Sequence, residues 1–419
     1  MKHYDLIVVG GGLTGVAAAV SAARQGMKVL LADKAGWLGG AMSNCLIYPF
    51  MPFYMKDKDG NQVDLSQGFF AELTERAAKD LPAGTKRSYY DSEYFKFLLD
   101  DVATEAGVEL LFHVTLYKVE TEGQEIKKLL FAAKSGTLEY SADYYVDATG
   151  DGDLFYFAGC DFQLGRDADN LCQPMTTCFR LANVDKPKFE EELPAMQALY
   201  KQYRQQGKIL NERENILVFR HGLAEGIVHF NTTRVIRHNP TDPEDVSRAE
   251  VIARRQVREM VAFLKENFES CKNATLVTCA ADIGVRESRK LRGMHILTQE
   301  ELIACTKFED SIALGNYDID IHNPAGSDTS HYYFGPGEYY TIPYRSLVPK
   351  EFGNLLVAGR CLSATHEAQA SVRIMPICCC MGEAAGIAAA VMKKSGTDNK
   401  TVDVKEVQRI LEANGAAIR

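Results

Sequence analysis

The eleven cysteines include no C-x-x-C pair, and their number is odd. That pattern argues against a disulfide reductase and against a secreted disulfide framework, and it fits a reducing cytoplasm. There is no long basic run, and 56 acidic residues outnumber 47 basic ones, for a formal charge of −9. Neither a nucleic-acid partner nor an anionic membrane partner is expected from that balance. The first strand begins within a few residues of Met1, so no signal or transit peptide is expected. Internal repeats and low-complexity segments are also missing. Only one stretch has the length of a membrane span, residues 374–392 (IMPICCCMGEAAGIAAAVM). It carries Glu383, Gly382 and Gly386 and is rich in alanine rather than leucine, so it reads as a helix packed inside the protein. Its Cys378-Cys379-Cys380 run lacks zinc-ligand spacing, and no metal site is expected.

What is present begins at Gly10-Gly11-Gly12-Leu13-Thr14-Gly15. Tyr4 to Val9 reads as a buried strand, Gly15 to Gln25 as a helix of small residues, and Met27 to Leu31 as a second strand ending near Asp33. This is a βαβ unit carrying G-x-G-x-x-G followed by an acid. Gly10 suits the tight turn, Gly12 the approach of a pyrophosphate, and Gly15 close helix–strand packing. The helix N-terminus offers unpaired N–H donors and partial positive charge to phosphates. The Asp33 carboxylate can accept from a ribose diol and would repel a 2′-phosphate, which disfavours NADP. No second such unit is visible, so NAD(P)H has no obvious docking place.

A chain of 419 residues, 46% hydrophobic, is expected to form two lobes around a large core. A second glycine stretch, Lys34 to Ser43, follows the first unit, and residues 45–87 read as an excursion from the sheet. Glu93 to Ala106 has helical periodicity, Val108 to His113 reads as a strand, and shorter strands span Thr115 to Tyr140. Tyr144 to Ala148 is a further strand, ending at Ala148-Thr149-Gly150. Polar helices are expected to dominate from Phe162 to Phe334, including Pro243 to Asn267. Asn354 to Ala358 returns as a buried strand, a loop follows at Gly359-Arg360, and Asp403 to Ala413 reads as a terminal amphipathic helix.

Several segments together resemble the FAD-dependent oxidoreductases of the two-dinucleotide-binding-domain superfamily, specifically a bacterial family of soluble single-chain flavoproteins. They are GGGLTG, DKAGWLGG, VDATGDGDLFYFAG, QPMT at 173–176, IGVRESR at 283–289, IPYRSL at 342–347, NLLVAGRCLSATHEAQASVRIMP at 354–376, and MGEAAGIAAA. They cover nearly the whole chain in the expected order. The resemblance implies an α/β fold, a Rossmann-like FAD-binding domain with a parallel sheet plus a second α+β substrate domain. The expected boundaries are 1–160 and 336–395 for the FAD domain, 161–335 for the substrate or cap domain, and 396–419 for a terminal linker and helix. It implies FAD as cofactor, with Gly10, Gly12, Leu13, Thr14, Gly15, Asp33 and Lys34 around the adenosine diphosphate. Gly39, Gly40, Ala41, Val114, Ala148, Thr149, Gly150, Gly359, Arg360, Met375 and Cys378 complete the cofactor set. Family members commonly have Glu where this chain has the shorter Asp33.

Pro376 suits a helix's first turn, and the dipole of that helix would stabilise negative charge on the pyrimidine edge of the flavin. Arg286 and Arg289 would share a face if IGVRESR were helical, forming a clamp for a carboxylate or other polar substrate, with Glu287 pointing elsewhere. His366 is a candidate general base, against the competing reading of a histidine held for structural reasons. Arg373 is a candidate for neutralising charge, and Tyr344 and Arg345 are candidates to reach the cleft. His331 reads as a loop histidine. The expected function is hydride transfer between a small polar organic molecule and flavin N5, with the electron acceptor unknown. An electron-transfer or redox-sensing flavin module without a substrate of its own remains the alternative. A flavoprotein acting on RNA is disfavoured by the acidic balance.

Overall fold

The opening apolar run forms the strand Lys2–Val9, buried without a break from Leu6 to Val9, as a parallel strand covered on both faces must be. Its neighbours in the computed structural model, which describes residues 2–79, 81 and 85–419, are Val29–Ala32 and Gly136–Asp147, both parallel to it. Seven strands make this sheet. Six run in the order Glu109–Leu111, Val29–Ala32, Lys2–Val9, Gly136–Asp147, Glu125–Ala133, Thr115–Glu122, and the seventh, Leu355–Val357, also pairs with Gly136–Asp147. That long strand changes partner along its length. Its first half pairs antiparallel with Glu125–Ala133, and Tyr145 to Asp147 pairs in parallel with Leu355–Val357. The carboxyl ends at Val9, Ala32, Asp147 and Val357 therefore open on one edge, where ligands bind in such sheets.

The first helix is Leu13–Arg24, two residues earlier than its periodicity predicts, because Gly12 is its N-cap. The alanine-rich segment forms the helix Met375–Ser395, the one described helix long and apolar enough to cross a membrane, and 89% of its apolar window is buried inside the fold. Its small residues serve close packing. A Cβ on Gly382 would come within 2.0 Å of the Thr14 carbonyl oxygen, and one on Gly386 within 2.1 Å of that of Ala18. The two helices thus lie side by side in the same direction. Glu383, on the same helix, is buried and accepts from the Phe69 N–H at 2.9 Å, holding the start of the helix Phe69–Ala78. The excursion read at 45–87 contains that helix and the hairpin of Tyr54–Lys56 with Gln62–Asp64. Residues 80 and 82–84 of it lie outside the described residues.

Burial pushes the Glu383 carboxyl up to about 7. The folded chain therefore keeps a proton that the unfolded chain releases at the ordinary carboxylate value, and stability falls as pH rises between those two values. Glu383→Gln keeps an acceptor for Phe69 and cannot ionise. Thermal melts should show the variant gaining on wild type as pH rises from about 5 to about 8, by on the order of 2 kcal/mol. Parallel stability curves for the two proteins would contradict this account.

Between 162 and 334, polar helices do not dominate. Two long ones, Lys186–Gln205 and Pro243–Asn267, cover a four-stranded antiparallel sheet ordered Val218–Phe219, Val228–Phe230, Phe179–Ala182, Thr275–Cys279. The strands are two to five residues long, too short for alternation to register in sequence. This lobe has its own core, including Phe179, Phe230, Met260 and Phe263, with the Phe179 and Phe230 rings stacked at 4.8 Å.

Candidate active site

A cavity of about 820 Å³ runs from the carboxyl edge of the parallel sheet into the second lobe. At the sheet end, Gly10 has a φ of +102°, and a Cβ there would meet the Ala148 carbonyl oxygen at 2.4 Å. A Cβ on Gly15 would meet the Gly10 carbonyl oxygen at 1.7 Å, so helix and strand touch through glycine, as the sequence predicts. Gly12 differs, since the nearest atom to a Cβ would be Gly40 Cα at 3.9 Å. Its free side faces the cavity, and the N-terminal turn at Leu13 and Thr14 lines the same wall. This is a cradle of the right chemistry for a diphosphate.

Asp33 accepts from the N–H groups of Gly11 and Ala35, and burial raises its carboxyl above the ordinary range. It still borders the cavity, with lone pairs left for a ribose diol. Burial draws the neighbouring Lys34 ammonium down, but Asp151, Asp282, Asp153 and Asp33 together hold it above its usual value. Gly39, Gly40, Ala41, Ala148, Thr149 and Gly150 also line the cavity. Beneath the last three lies Asp147, fully buried, which accepts from the N–H and hydroxyl of Thr149 and from the Phe155 N–H. Burial pushes its carboxyl up to about 6. Arg360 reaches the cavity and donates to Asp151 at 2.7 Å and Ser288 at 3.0 Å. Met375 and Cys378, on the first turn of the alanine-rich helix, line the cavity as well.

Three residues assigned to the cofactor set support the cavity without lining it. Gly15 is taken up by packing. Gly359 has a φ of +86° and would press a Cβ on Thr14 Oγ1 at 2.7 Å. Val114 is buried in the core on the far side of the Asp33 turn, its N–H donating to the Asp33 carbonyl at 3.2 Å.

The catalytic candidates separate. Residues 283–288 are not helical, and Arg289–Leu291 is a strand, so Arg286 and Arg289 do not share a face. Only Arg286 lines the cavity. Arg289 turns away to Asp153 at 3.0 Å and lies 4.0 Å over the Tyr156 ring. Glu287 does not face solvent. It is fully buried, pairing with Lys290 Nζ at 2.5 Å and with His366 Nδ1 at 2.7 Å, and it accepts from the Gln173 N–H at 3.0 Å. His366 opens the short helix His366–Val372 behind the cavity wall and does not line the cavity. Tyr344 is a core residue whose hydroxyl donates to the Asn399 carbonyl at 3.1 Å. Arg345 pairs with Asp310 at 2.9 Å. Arg373 does line the cavity.

What sequence reading missed is the hairpin Ile319–His322 with Thr329–Tyr332, where Asp320 faces His331 and His322 faces Thr329. His331, no loop histidine, lines the cavity and bonds Asp318 through Nδ1 at 2.5 Å. His322 sits between Asp320 at 3.2 Å and Thr329 at 3.2 Å, and burial holds its imidazole well below the usual range. Asp318, Asp320 and His331 bring ligand atoms within 4.8 Å of one another. Arg373, 3.6 Å from Asp320, already supplies positive charge there. Arg213 and Arg234 also line this end and carried no local sequence signal.

A parallel sheet with glycine-bound helix N-termini at its carboxyl edge, joined to an antiparallel lobe, defines a dinucleotide-binding protein of two-lobed flavoprotein type. Residues 5–411 match the family described as FAD dependent oxidoreductase, and the chain belongs to it. Its cofactor is FAD, and it is an enzyme of the oxidoreductase class. A geranylgeranyl bacteriochlorophyll reductase-like protein from Thermoplasma acidophilum shares the fold at a TM-score of 0.51 and 14% identity, over 99% of this chain and 84% of that one. A flavoprotein/dehydrogenase from Cytophaga hutchinsonii aligns at a TM-score of 0.46 and 12% identity, over 98% and 83%. The 4-oxocyclohex-2-ene-1-carboxylate 5-dehydrogenase of Sinomonas cyclohexanicum is 33% identical over 111 residues, 26% of this chain. That match spans only 18% of the relative's length.

Proposed function

We propose that the protein transfers a hydride between a small polar organic substrate and N5 of its FAD. The observation that carries this reading is the single continuous cavity joining the glycine cradle to a cluster of histidine and arginine side chains. FAD supplies the redox chemistry, and the protein supplies placement, charge and proton handling. Leu13 and Thr14 offer helix N–H groups to the diphosphate, and Asp33 accepts from the ribose. Ala148 to Gly150, Arg360, Met375 and Cys378 hold the remainder. In this reading residues 1–160 and 336–395 form the cofactor domain, 161–335 the substrate domain, and 396–419 a terminal linker and helix. Eleven free cysteines favour a reducing compartment such as the cytoplasm.

Proton transfer falls to His331 rather than His366. An Nδ1–H donated to Asp318 fixes the tautomer and leaves Nε2 to accept a proton. His331→Gln should retain FAD and slow anaerobic, substrate-driven flavin bleaching by about 100-fold. Bleaching at the wild-type rate would remove His331 from this role. Screening hydroxy acids, amines and sugars for bleaching tests the larger reading. A flavin that no organic donor reduces, but that a protein partner does, would favour the electron carrier instead.

A further inference from the structure

We propose that the second-lobe end of the cavity is built for a small organic dianion, a substrate carrying two carboxylates. The inference rests on the reading above only in calling that ligand the substrate. Arg213, Arg234, Arg286 and Arg373 reach the cavity from four separate segments of chain. Arg213 and Arg234 are 7% and 2% exposed. Four carboxylates of this lobe line the cavity, Glu214, Glu250, Asp282 and Asp320. Glu250 is paired with Arg254 at 2.8 Å, and Asp282 acts on Lys34 at the sheet end. That leaves Glu214 and Asp320 against the four guanidiniums, while Asp318 is engaged by His331.

Their bonds show where charge is missing. Arg286 donates to the Pro174 carbonyl and the Thr176 hydroxyl, both at 2.6 Å, and to the Asn231 amide oxygen at 3.5 Å. Arg234 donates to the backbone carbonyls of Asn323 and Asp328, and its Nε is buried without a partner. Arg213 donates to the Asn215 side chain at 3.2 Å. Arg373 alone of the four has a carboxylate within ion-pair distance among the described residues, Asp320 at 3.6 Å, and its Nε too is unpartnered. Neutral acceptors orient a guanidinium without cancelling its charge. Buried cations left in that state are costly unless a counter-ion joins them. Burial and the mutual repulsion of the arginines draw Arg286 down to about 9 and Arg234, where burial again dominates, down to about 10. Planar guanidinium forks pair two-pronged with carboxylates. Two such groups on one molecule would balance the surplus that Glu214 and Asp320 leave.

The test uses the FAD-loaded protein, with flavin content read by visible absorbance and ligand binding read separately by calorimetry. Malonate, succinate and glutarate are the probes, compared with acetate, succinamide and inorganic phosphate. At least one diacid should bind about tenfold or more tightly than acetate, succinamide and phosphate, and should weaken as salt rises. Arg286→Met and Arg234→Met should each weaken that diacid about tenfold or more while flavin content stays at the wild-type level. Arg286→Lys, which keeps the charge but loses the fork, should fall between. Equal binding of diacid and diamide, phosphate binding as tightly as the best diacid, or unchanged affinity in both methionine variants would overturn the proposal. Diacid binding to a protein whose flavin no organic donor reduces would instead overturn the hydride-transfer reading and leave this one standing.

Discussion

Gly12→Asp is expected to fold normally and to lose its FAD. The backbone at Gly12 is ordinary extended chain, φ −67° and ψ 176°, and a Cβ there meets nothing nearer than 3.9 Å. Aspartate is also a favoured residue at a helix N-cap, and thermal stability should hold or rise by about 0.5–1 kcal/mol. The same carboxylate would stand where the diphosphate must lie, and the repulsion should lower FAD affinity by about 100-fold or more. Circular dichroism and flavin absorbance after purification read the two effects separately. A stably folded variant carrying a full complement of FAD would show that the diphosphate does not use this cradle. Gly15→Ala provides the contrast. Its added methyl meets the Gly10 carbonyl at 1.7 Å, and the failure there should be one of folding.

Glu287→Leu should be the most destabilising single change among the polar groups of the site. Glu287 is fully buried and paired with Lys290, whose side chain is 1% exposed. Burial opposes its charge, but hydrogen bonding from His366 and the charge of Lys290 hold the carboxyl below the usual range. Removing the carboxylate strands a buried ammonium and frees the Gln173 N–H, at a cost of about 3–5 kcal/mol. Restoring charge balance with Glu287→Leu and Lys290→Met together should recover much of that loss, because the stranded cation is gone. Denaturant unfolding of the two single variants and the double one provides the check. A double variant no more stable than Glu287→Leu would mean that the ion pair is not what holds this wall.

The contrast between Glu287 and Arg286 also shows what sequence can carry. Three residues apart, Arg286 and Arg289 fit one face of a helix and opposite sides of an extended chain. Seven residues do not decide between those readings, and the bridge between Thr176 and Gly284 decides it for the extended form. Arg286 then turns into the cavity while Glu287 turns inward to His366. The glycine turn was legible because its requirements are local: a strand, a positive φ, a helix start. His331 and Arg234 have no such local mark. A histidine becomes part of a site only when a hairpin sets Asp318 and Asp320 beside it, and Arg234 only when loops from distant positions meet. The strands at Tyr4 to Val9 and Asn354 to Ala358 are legible as continuous apolar runs. Gly136–Asp147, interrupted by Glu139, Ser141 and Asp143, reads instead as two pieces, and the second lobe's strands are too short to register.

The side-by-side contact through Gly382 and Gly386 has an electrostatic corollary. Two helices running in the same direction set like poles together, and that arrangement is repulsive on its own. Both helix starts line the cavity proposed for the anionic nucleotide, and a ligand bound there would screen the pair with its negative charge. Cofactor uptake and the docking of the last long helix should accordingly rise and fall together, and a change that loosens one will be felt in the other.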